Sequence, residues 1–214
     1  MTNENSFATL RRSILAALVF ALFASISTSA NAQVVFDDAV NGNASSDGAA
    51  PTSVAFSLGS NIINGTVTSP GNVRNFYTFT IGAGQELSAI NLDAISVVDA
   101  AGAVSSDPGF YALIDGTTGT NPVDGFANLG GDLFDPDRLG EDLLASIFGG
   151  GISNDNDFSS VGAGDYTFVI QQTGDEVSSF SLDFQVTTAA VPEPTSTVLL
   201  AGLGLVGLAR RRRR

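Results

Sequence analysis

The sequence lacks three residue types that carry much of protein chemistry, since its 214 residues include no cysteine, no histidine and no lysine. Without cysteine there can be neither a disulfide framework nor a thiolate metal site. Without histidine, Ser-His-Asp triads, the common zinc sites and the usual acid-base group near pH 7 are excluded. Because no nucleophile motif is present either, the sequence predicts that the protein is not an enzyme.

Positive charge is also scarce, and most of it lies at the two ends of the chain. The nine basic residues are all arginines: Arg11, Arg12, Arg74, Arg138 and Arg210 to Arg214. Residues 33–191 contain 20 of the 22 acidic residues (all but Glu4 and Glu193) and two of the nine basic ones, so their net charge is −18. Such a surface repels nucleic acid, attracts divalent cations and favours solubility. Disorder is the alternative for an acidic chain, and the strand patterns below argue against it.

The N-terminal segment has the three regions of a secretory signal. Arg11 and Arg12 form a basic region, residues 14–26 are apolar, and Ala30 and Ala32 fit the small-x-small rule for cleavage. We therefore expect residues 1–32 to be a signal peptide with a helical apolar region, removed by signal peptidase. An uncleaved N-terminal anchor is the alternative.

The C-terminal segment, residues 191–214, reads VPEPTSTVLLAGLGLVGLARRRRR. Pro192 and Pro194 prevent regular structure and keep this part extended. The apolar run of residues 198–209 is short for a membrane helix, which needs about 20 residues, but residues 195–197 lengthen it. The tail that would stay in the cytoplasm consists of Arg210, Arg211, Arg212, Arg213 and Arg214. The pattern predicts a C-terminal transmembrane helix preceded by an accessible segment.

These three parts together resemble the PEP-CTERM sorting signal of Gram-negative bacteria. The motif itself is carried by Val191, Pro192, Glu193 and Pro194. The resemblance implies recognition by an exosortase, a membrane transpeptidase that cuts near the Pro-Glu-Pro block, and only transient contact with the inner membrane. It also implies a host that makes exopolysaccharide, and a final location at the cell surface or outside the cell. A permanent C-terminal anchor is the alternative.

The central part of the chain has the period-two alternation of β-strands. In SFSLDFQVTT, for example, one face carries Phe180, Leu182, Phe184 and Val186. Short strands at even spacing with Gly-rich turns predict an all-β fold, a jelly-roll-like antiparallel β-sandwich over residues 51–190. VAFSLGSNIINGTVTS predicts two short strands around a Gly/Asn turn, and ELSAINLDAISVV predicts a strand pair or one long strand. Residues 33–50 are expected to be a partly flexible leader or an edge segment.

One segment has helical rather than strand periodicity. Over residues 139–148 an apolar stripe is formed by Leu139, Leu143, Leu144 and Ile147. We expect a short helical insertion here, which ends at the glycines that follow and packs over one end of the sandwich.

Two stretches of the core resemble the bacterial pre-peptidase C-terminal domain. They are INGTVTSPGNVRNFYTFTIGAGQELSAINLDAI and GAGDYTFVIQQTG, about a third of the chain. The resemblance implies a small β-sandwich that serves as an accessory or targeting module on a secreted protein. The chain departs from the family in having Arg74-Asn75 where an aspartate usually precedes the aromatic strand.

Acidic residues concentrate in two places that could bind Ca²⁺, which prefers six to eight oxygen ligands on a flexible loop. The predicted ligands are Asp135, Asp137, Asp155 and Asp157. The EF-hand spacing is absent, and the alternative is that these residues form Asx turns and a helix N-terminus.

The function expected from the sequence is a structural or adhesive role of an exported protein, linked to exopolysaccharide. The alternative is a Ca²⁺-assisted carbohydrate-binding module, for which Phe110 and Tyr111 are the candidate exposed rings. A glycoside hydrolase with paired carboxylates is a minority alternative. Nucleic acid is not an expected partner.

Overall fold

The computed structural model describes residues 32–119, 130–149, 153–154, 161–172 and 174–190. The strands in this part of the chain are β1 (Gln33–Asp37), β2 (Thr52–Ser53), β3 (Gly59–Thr68), β4 (Arg74–Ile81), β5 (Gln85–Val98), β6 (Gly109–Asp115), β7 (Gly130–Phe134), β8 (Ser153–Asn154), β9 (Gly164–Gln171) and β10 (Val177–Thr188). The helical segments are α1 (Asp38–Asn41), a 3-10 turn (Pro136–Arg138) and α2 (Leu143–Gly149).

The strands form two sheets packed face to face, which confirms the all-β sandwich. The four-stranded sheet has the order β1-β3-β10-β5, and the six-stranded sheet has the order β2-β4-β9-β6-β7-β8. Pairing is antiparallel except at one edge of each sheet, where β1 pairs with β3 and β2 pairs with β4 in parallel. The sequence did not predict these two parallel pairs.

The inner faces of the two sheets supply the core, as the alternation in β10 predicted. Its predicted face is buried throughout, since Phe180, Leu182, Phe184 and Val186 are each at most 4% exposed. Phe184 is central because its ring contacts Phe56 of the β2–β3 connection and Phe79 and Phe168 of the opposite sheet. Burial of such rings supplies much of the stability of a sandwich.

The outer face of the six-stranded sheet is covered as well. A second apolar cluster there consists of Phe76, Phe110, Ala112, Ile114 and Val169. Two loops approach each other over this cluster, because Gly119 N donates to Gly48 O at 2.7 Å. Strands β6 and β9 are therefore buried on both faces, which explains their nearly continuous apolar sequences.

Two parts of the sandwich differ from the expected layout. Residues 33–37 form edge strand β1, so the edge alternative for this segment holds and the sandwich begins well before residue 51. Asn64 and Gly65 lie inside the ten-residue strand β3 instead of forming a turn. Gly65 is needed there for space, because a Cβ atom would lie 2.6 Å from the Phe180 ring and 2.7 Å from Tyr77 Oη. The segment 85–98 is one long strand.

The helical insertion is shorter than predicted, and Leu139 does not belong to its apolar stripe. Leu139 is 56% exposed, whereas Leu143, Leu144 and Ile147 are buried. The helix begins later because Gly140 takes a positive φ of 84° and Asp142 accepts a hydrogen bond from Leu144 N at 3.0 Å.

The residues before α2 protect the outer edge of β5. Gly140 N donates to Leu92 O at 2.8 Å, and Leu92 N donates to Glu141 O at 3.0 Å. Asp142 accepts from Ile90 N at 2.9 Å. The insertion thus satisfies backbone groups that would otherwise be open to pairing with another chain. Among the described residues, no helix is long and apolar enough to cross a membrane. The predicted signal and C-terminal helices lie outside them.

Candidate functional site

The sorting and cleavage residues lie almost entirely outside the described part of the chain. Val191, Pro192, Glu193, Pro194, the five terminal arginines and Ala30 belong to the segments that the structure does not describe. Ala32 is described, and it is exposed and directly precedes β1. The expected signal-peptide cleavage would therefore leave the first strand of the sandwich at the new N-terminus.

The acidic residues around Asp135 and Asp137 make hydrogen bonds and ion pairs within the insertion. Asp135 caps the 3-10 turn by accepting a hydrogen bond from Asp137 N at 2.9 Å. Arg138 Nη2 lies 2.7 Å from Asp132 Oδ2, and Arg138 Nη1 lies 3.6 Å from Glu141 Oε2. Within the described ranges no group of three or more acidic side chains is arranged to hold a metal ion. Asp155 and Asp157 lie outside these ranges, so the predicted four-residue Ca²⁺ set stays a prediction.

The prediction that Phe110 and Tyr111 are exposed rings was wrong. Tyr111 is 0% exposed, and its hydroxyl donates to Leu143 O at 3.2 Å. Burial raises the pKa of this hydroxyl. Phe110 belongs to the second apolar cluster. Both residues were candidates for exposure from the sequence, but β6 is buried on both of its faces. No aromatic ring in the described segments is exposed.

The outer face of the four-stranded sheet carries rows of small polar side chains. Thr66, Ser179 and Ser96 lie side by side across β3, β10 and β5, and Ser181 lies beside Asn64 in the next row. These five residues are called the polar face below. Register produces the rows, because residues directly opposite each other on paired strands point to the same side. The Thr66 and Ser179 hydroxyl oxygens are 3.3 Å apart.

Helix α1 turns the edge of the polar face into a groove of about 370 Å³. Its wall includes Asp37 and Asp38. Asp37 caps α1 by accepting from Ala39 N at 2.8 Å, and it also accepts from Asn64 Nδ2 at 3.2 Å. Asp38 accepts from Thr66 N at 2.6 Å, just beyond the end of β1. Burial raises the pKa of Asp38, and the hydrogen bond from Thr66 opposes this rise.

Replacing Asp38 with asparagine is expected to stabilise the fold at neutral pH by a few tenths of a kcal/mol, a small effect because the carboxyl is partly exposed. A raised pKa in the folded state means that Asp38 destabilises the fold as pH rises through the interval above 3.8. The asparagine keeps an acceptor for Thr66 N and has no charge. Urea unfolding from pH 3 to pH 7 measures the difference, which should vanish at the acid end.

The same charge change at an exposed carboxylate provides the control. Asp47 also accepts a local backbone hydrogen bond, from Ala49 N at 2.9 Å. Asp47→Asn should follow the wild-type pH profile. A stability difference for Asp38→Asn that is equally large at pH 3 would contradict the electrostatic explanation.

A second carboxylate with an unusual environment lies at the end of the sandwich. Glu176 precedes β10 and is 7% exposed, and its Oε2 atom has no hydrogen-bond partner among the residues that the structure describes. Asp107, which precedes β6, has its carboxylate within hydrogen-bonding reach of Glu176. Burial raises the pKa of Glu176, and the contact with Asp107 and the nearby Asp175 raise it further. The two residues are distant in the sequence, and no local pattern indicates that they meet.

Comparison with known proteins identifies the C-terminal segment. The family model of the PEP-CTERM protein-sorting motif matches residues 190–214. The pre-peptidase resemblance stays a prediction, with which the sandwich is compatible.

Comparisons of the whole chain add little. No curated protein matches it. Among solved structures, PliG of Salmonella Typhimurium, a periplasmic lysozyme inhibitor of g-type lysozyme, is similar at 13% identity over 64% of this chain and 98% of that chain, with a TM-score of 0.29. A likeness this distant informs neither fold nor function. The chain is thus identified by the sorting motif that it carries at residues 190–214. The protein is an exosortase substrate that is exported across the inner membrane, and after processing it is located at the cell surface or outside the cell.

Proposed function

We propose that the sandwich is a non-catalytic structural or adhesive component that associates with neutral exopolysaccharide through the polar face. The observation that carries this proposal is the pair of aligned rows formed by Thr66, Ser179 and Ser96 and by Asn64 and Ser181. They present hydroxyl and amide groups, which can both donate and accept hydrogen bonds. All five residues line the groove beside α1, in which an extended sugar chain could lie along the rows.

Charge favours a neutral polysaccharide over an anionic one. The net charge of −18 over residues 33–191 repels uronate or sulfate groups, and the repulsion is weaker in salt. Hydrogen bonds to uncharged sugar hydroxyls do not meet this penalty. Individual bonds of this type contribute about 1 kcal/mol each, so adhesion would depend on many weak contacts along a polymer.

The carboxylates beside the polar face support a non-catalytic role. Asp37 caps α1 and contacts Asn64, whereas Asp38 accepts a hydrogen bond from the backbone of β3. Asp183 accepts from Ser60 at 2.7 Å and from Gln185. These acids hold the strand edge and the sheet surface, which is a structural task. The absence of exposed rings among the described residues removes the support for a stacking platform.

The test removes hydroxyl groups from the polar face without changing charge. The double variant Ser179→Val and Ser181→Val is expected to bind an insoluble neutral glucan roughly 30-fold more weakly than the wild type, since about two hydrogen bonds of about 1 kcal/mol each are lost. Co-sedimentation of the exported protein with the glucan measures binding. Alginate, an anionic polysaccharide, serves as the second probe and should bind poorly to both proteins.

A matched control lies on the same strand. Thr187 and Thr188 are exposed at the end of β10, outside the groove. Replacing both with valine also removes two hydroxyl groups from β10, and it should leave glucan binding unchanged. Equal binding by the two double variants, or retention on alginate alone, would overturn the assignment of the polar face.

A further inference from the structure

Three connections between the sheets converge at the end of the sandwich where Glu176 lies. Asp107 belongs to the β5–β6 connection, and Glu176 belongs to the β9–β10 connection. Ser69, in the β3–β4 connection, donates its backbone N–H to Glu176 O at 3.1 Å. The Glu176 side chain folds back against Gly174, where a Cβ atom would lie 2.0 Å from Oε2. The missing side chain of Gly174 therefore leaves room for the Glu176 carboxylate, whose Oε2 atom is buried.

Within the described ranges, neither arginine forms an ion pair with Glu176 or Asp107. Arg138 is paired with Asp132 and Glu141 in the insertion. Arg74 donates its Nε hydrogen to Gln171 Oε1 at 2.9 Å. Two ionised carboxylates cannot hydrogen-bond to each other, because each has only acceptor oxygens. Glu176 and Asp107 therefore repel each other when both are charged.

We propose that Glu176 and Asp107 bind a divalent cation, for which Ca²⁺ is the best fit. Among the described residues, the Glu176 carboxylate has one buried oxygen without a partner and lies within reach of the Asp107 carboxylate, and a bound cation would complete this arrangement. Ca²⁺ accepts irregular sets of oxygen ligands, including water and backbone carbonyls, whereas Mg²⁺ requires near-octahedral geometry. The nearby charge of Asp175 adds to the attraction.

The site should be weak and suited to a location outside the cell. With two carboxylates and the other ligands supplied by water and backbone, we expect an affinity in the range of extracellular modules, about 10⁻⁴ to 10⁻³ M. The bound ion would connect the β5–β6 and β9–β10 connections and thereby hold the two sheets together at this end. The site is distinct from the predicted set of Asp135, Asp137, Asp155 and Asp157.

The test measures thermal unfolding of the exported protein in EDTA and in 10 mM CaCl₂ at matched ionic strength. For a Kd of about 1 mM, Ca²⁺ is expected to raise the Tm by about 3–6 °C. MgCl₂ should give a smaller rise. In Glu176→Gln the Ca²⁺-dependent rise should disappear, while the variant stays folded in EDTA because a buried charge has been removed. Asp107→Asn should lose the rise as well.

Two controls distinguish this site from other acidic positions. Glu86→Gln makes the same chemical change in β5 and should keep the wild-type response to Ca²⁺. The double variant Asp155→Asn and Asp157→Asn should also keep it. The proposal is overturned if wild-type Tm does not respond to Ca²⁺, or if Glu176→Gln responds as the wild type does. It is also overturned if the response disappears in the Asp155/Asp157 variant alone.

Discussion

Replacing Pro192, Glu193 and Pro194 together with alanine is expected to leave the C-terminus of the exported chain uncut. The sorting motif spans residues 190–214, and the Pro-Glu-Pro block lies directly before its apolar run. Proline fixes φ and prevents helix formation, so the sequence predicts an extended block in the wild type. Alanine is the best helix former, so the substitution is expected to extend the predicted C-terminal helix into the block and make the block less accessible. The expected effect is complete loss of processing.

Intact mass of the protein from its host, measured separately for envelope and medium, checks this result. The wild-type chain should end near Pro192–Pro194, and the triple variant should still end at Arg214 and stay in the envelope. A Thr187→Ala and Thr188→Ala variant, altered just upstream of the motif, should be processed normally. A triple variant cut at the wild-type position would contradict the assigned recognition segment. A wild-type chain that still ends at Arg214 would support the permanent-anchor alternative.

Phe184→Ala is expected to destabilise the sandwich by about 3–5 kcal/mol, a large part of the 5–15 kcal/mol that is typical of a domain. The Phe184 ring is fully buried, and its centroid lies 5.6 Å from that of Phe79 and 5.3 Å from that of Phe168. These rings belong to the opposite sheet, so the substitution leaves a cavity between the sheets. The Tm should fall by about 6–20 °C, since each kcal/mol corresponds to about 2–4 °C at this size.

Urea unfolding monitored by circular dichroism measures the loss. Phe184→Leu, which refills part of the cavity, should lose clearly less stability than Phe184→Ala. Val104→Ala removes apolar atoms from a side chain that is 87% exposed, and it should change the free energy of unfolding by less than about 0.5 kcal/mol. A loss below about 1.5 kcal/mol for Phe184→Ala would show that the two sheets do not pack tightly around this ring.

The sequence predicted which residues of a strand face the core better than it predicted where strands end and which strands pair. The alternation in β10 identified Phe180, Leu182, Phe184 and Val186 as core residues, and each is buried. It could not show that Asn64 and Gly65 continue a strand, because an Asn-Gly pair is also a strong turn signal. Gly65 is required by Phe180 and Tyr77, which approach it from β10 and from the opposite sheet.

Exposure was the property most often misjudged. Phe110 and Tyr111 were candidate surface rings, yet loops cover the outer side of β6 and the core covers its inner side. Leu139 fitted a helical stripe, but the helix begins after Asp142, so Leu139 is left outside it. For Phe110 and Tyr111 the deciding contacts come from segments distant in sequence, whereas for Leu139 the local geometry at Gly140 and Asp142 decides.

The sequence by itself determined the properties that are linear or local. A sorting motif is recognised as a continuous stretch of chain, net charge is a sum over residues, and strand alternation repeats every two residues. Only the tertiary structure decided which strands are neighbours and in which register they pair. It aligned the polar rows of the four-stranded sheet and brought Asp107 beside Glu176. It also placed β1 parallel to β3 at the edge of one sheet and β2 parallel to β4 at the edge of the other. The physical reason is that pairing and packing depend on the whole set of competing contacts, whereas alternation depends on each strand alone.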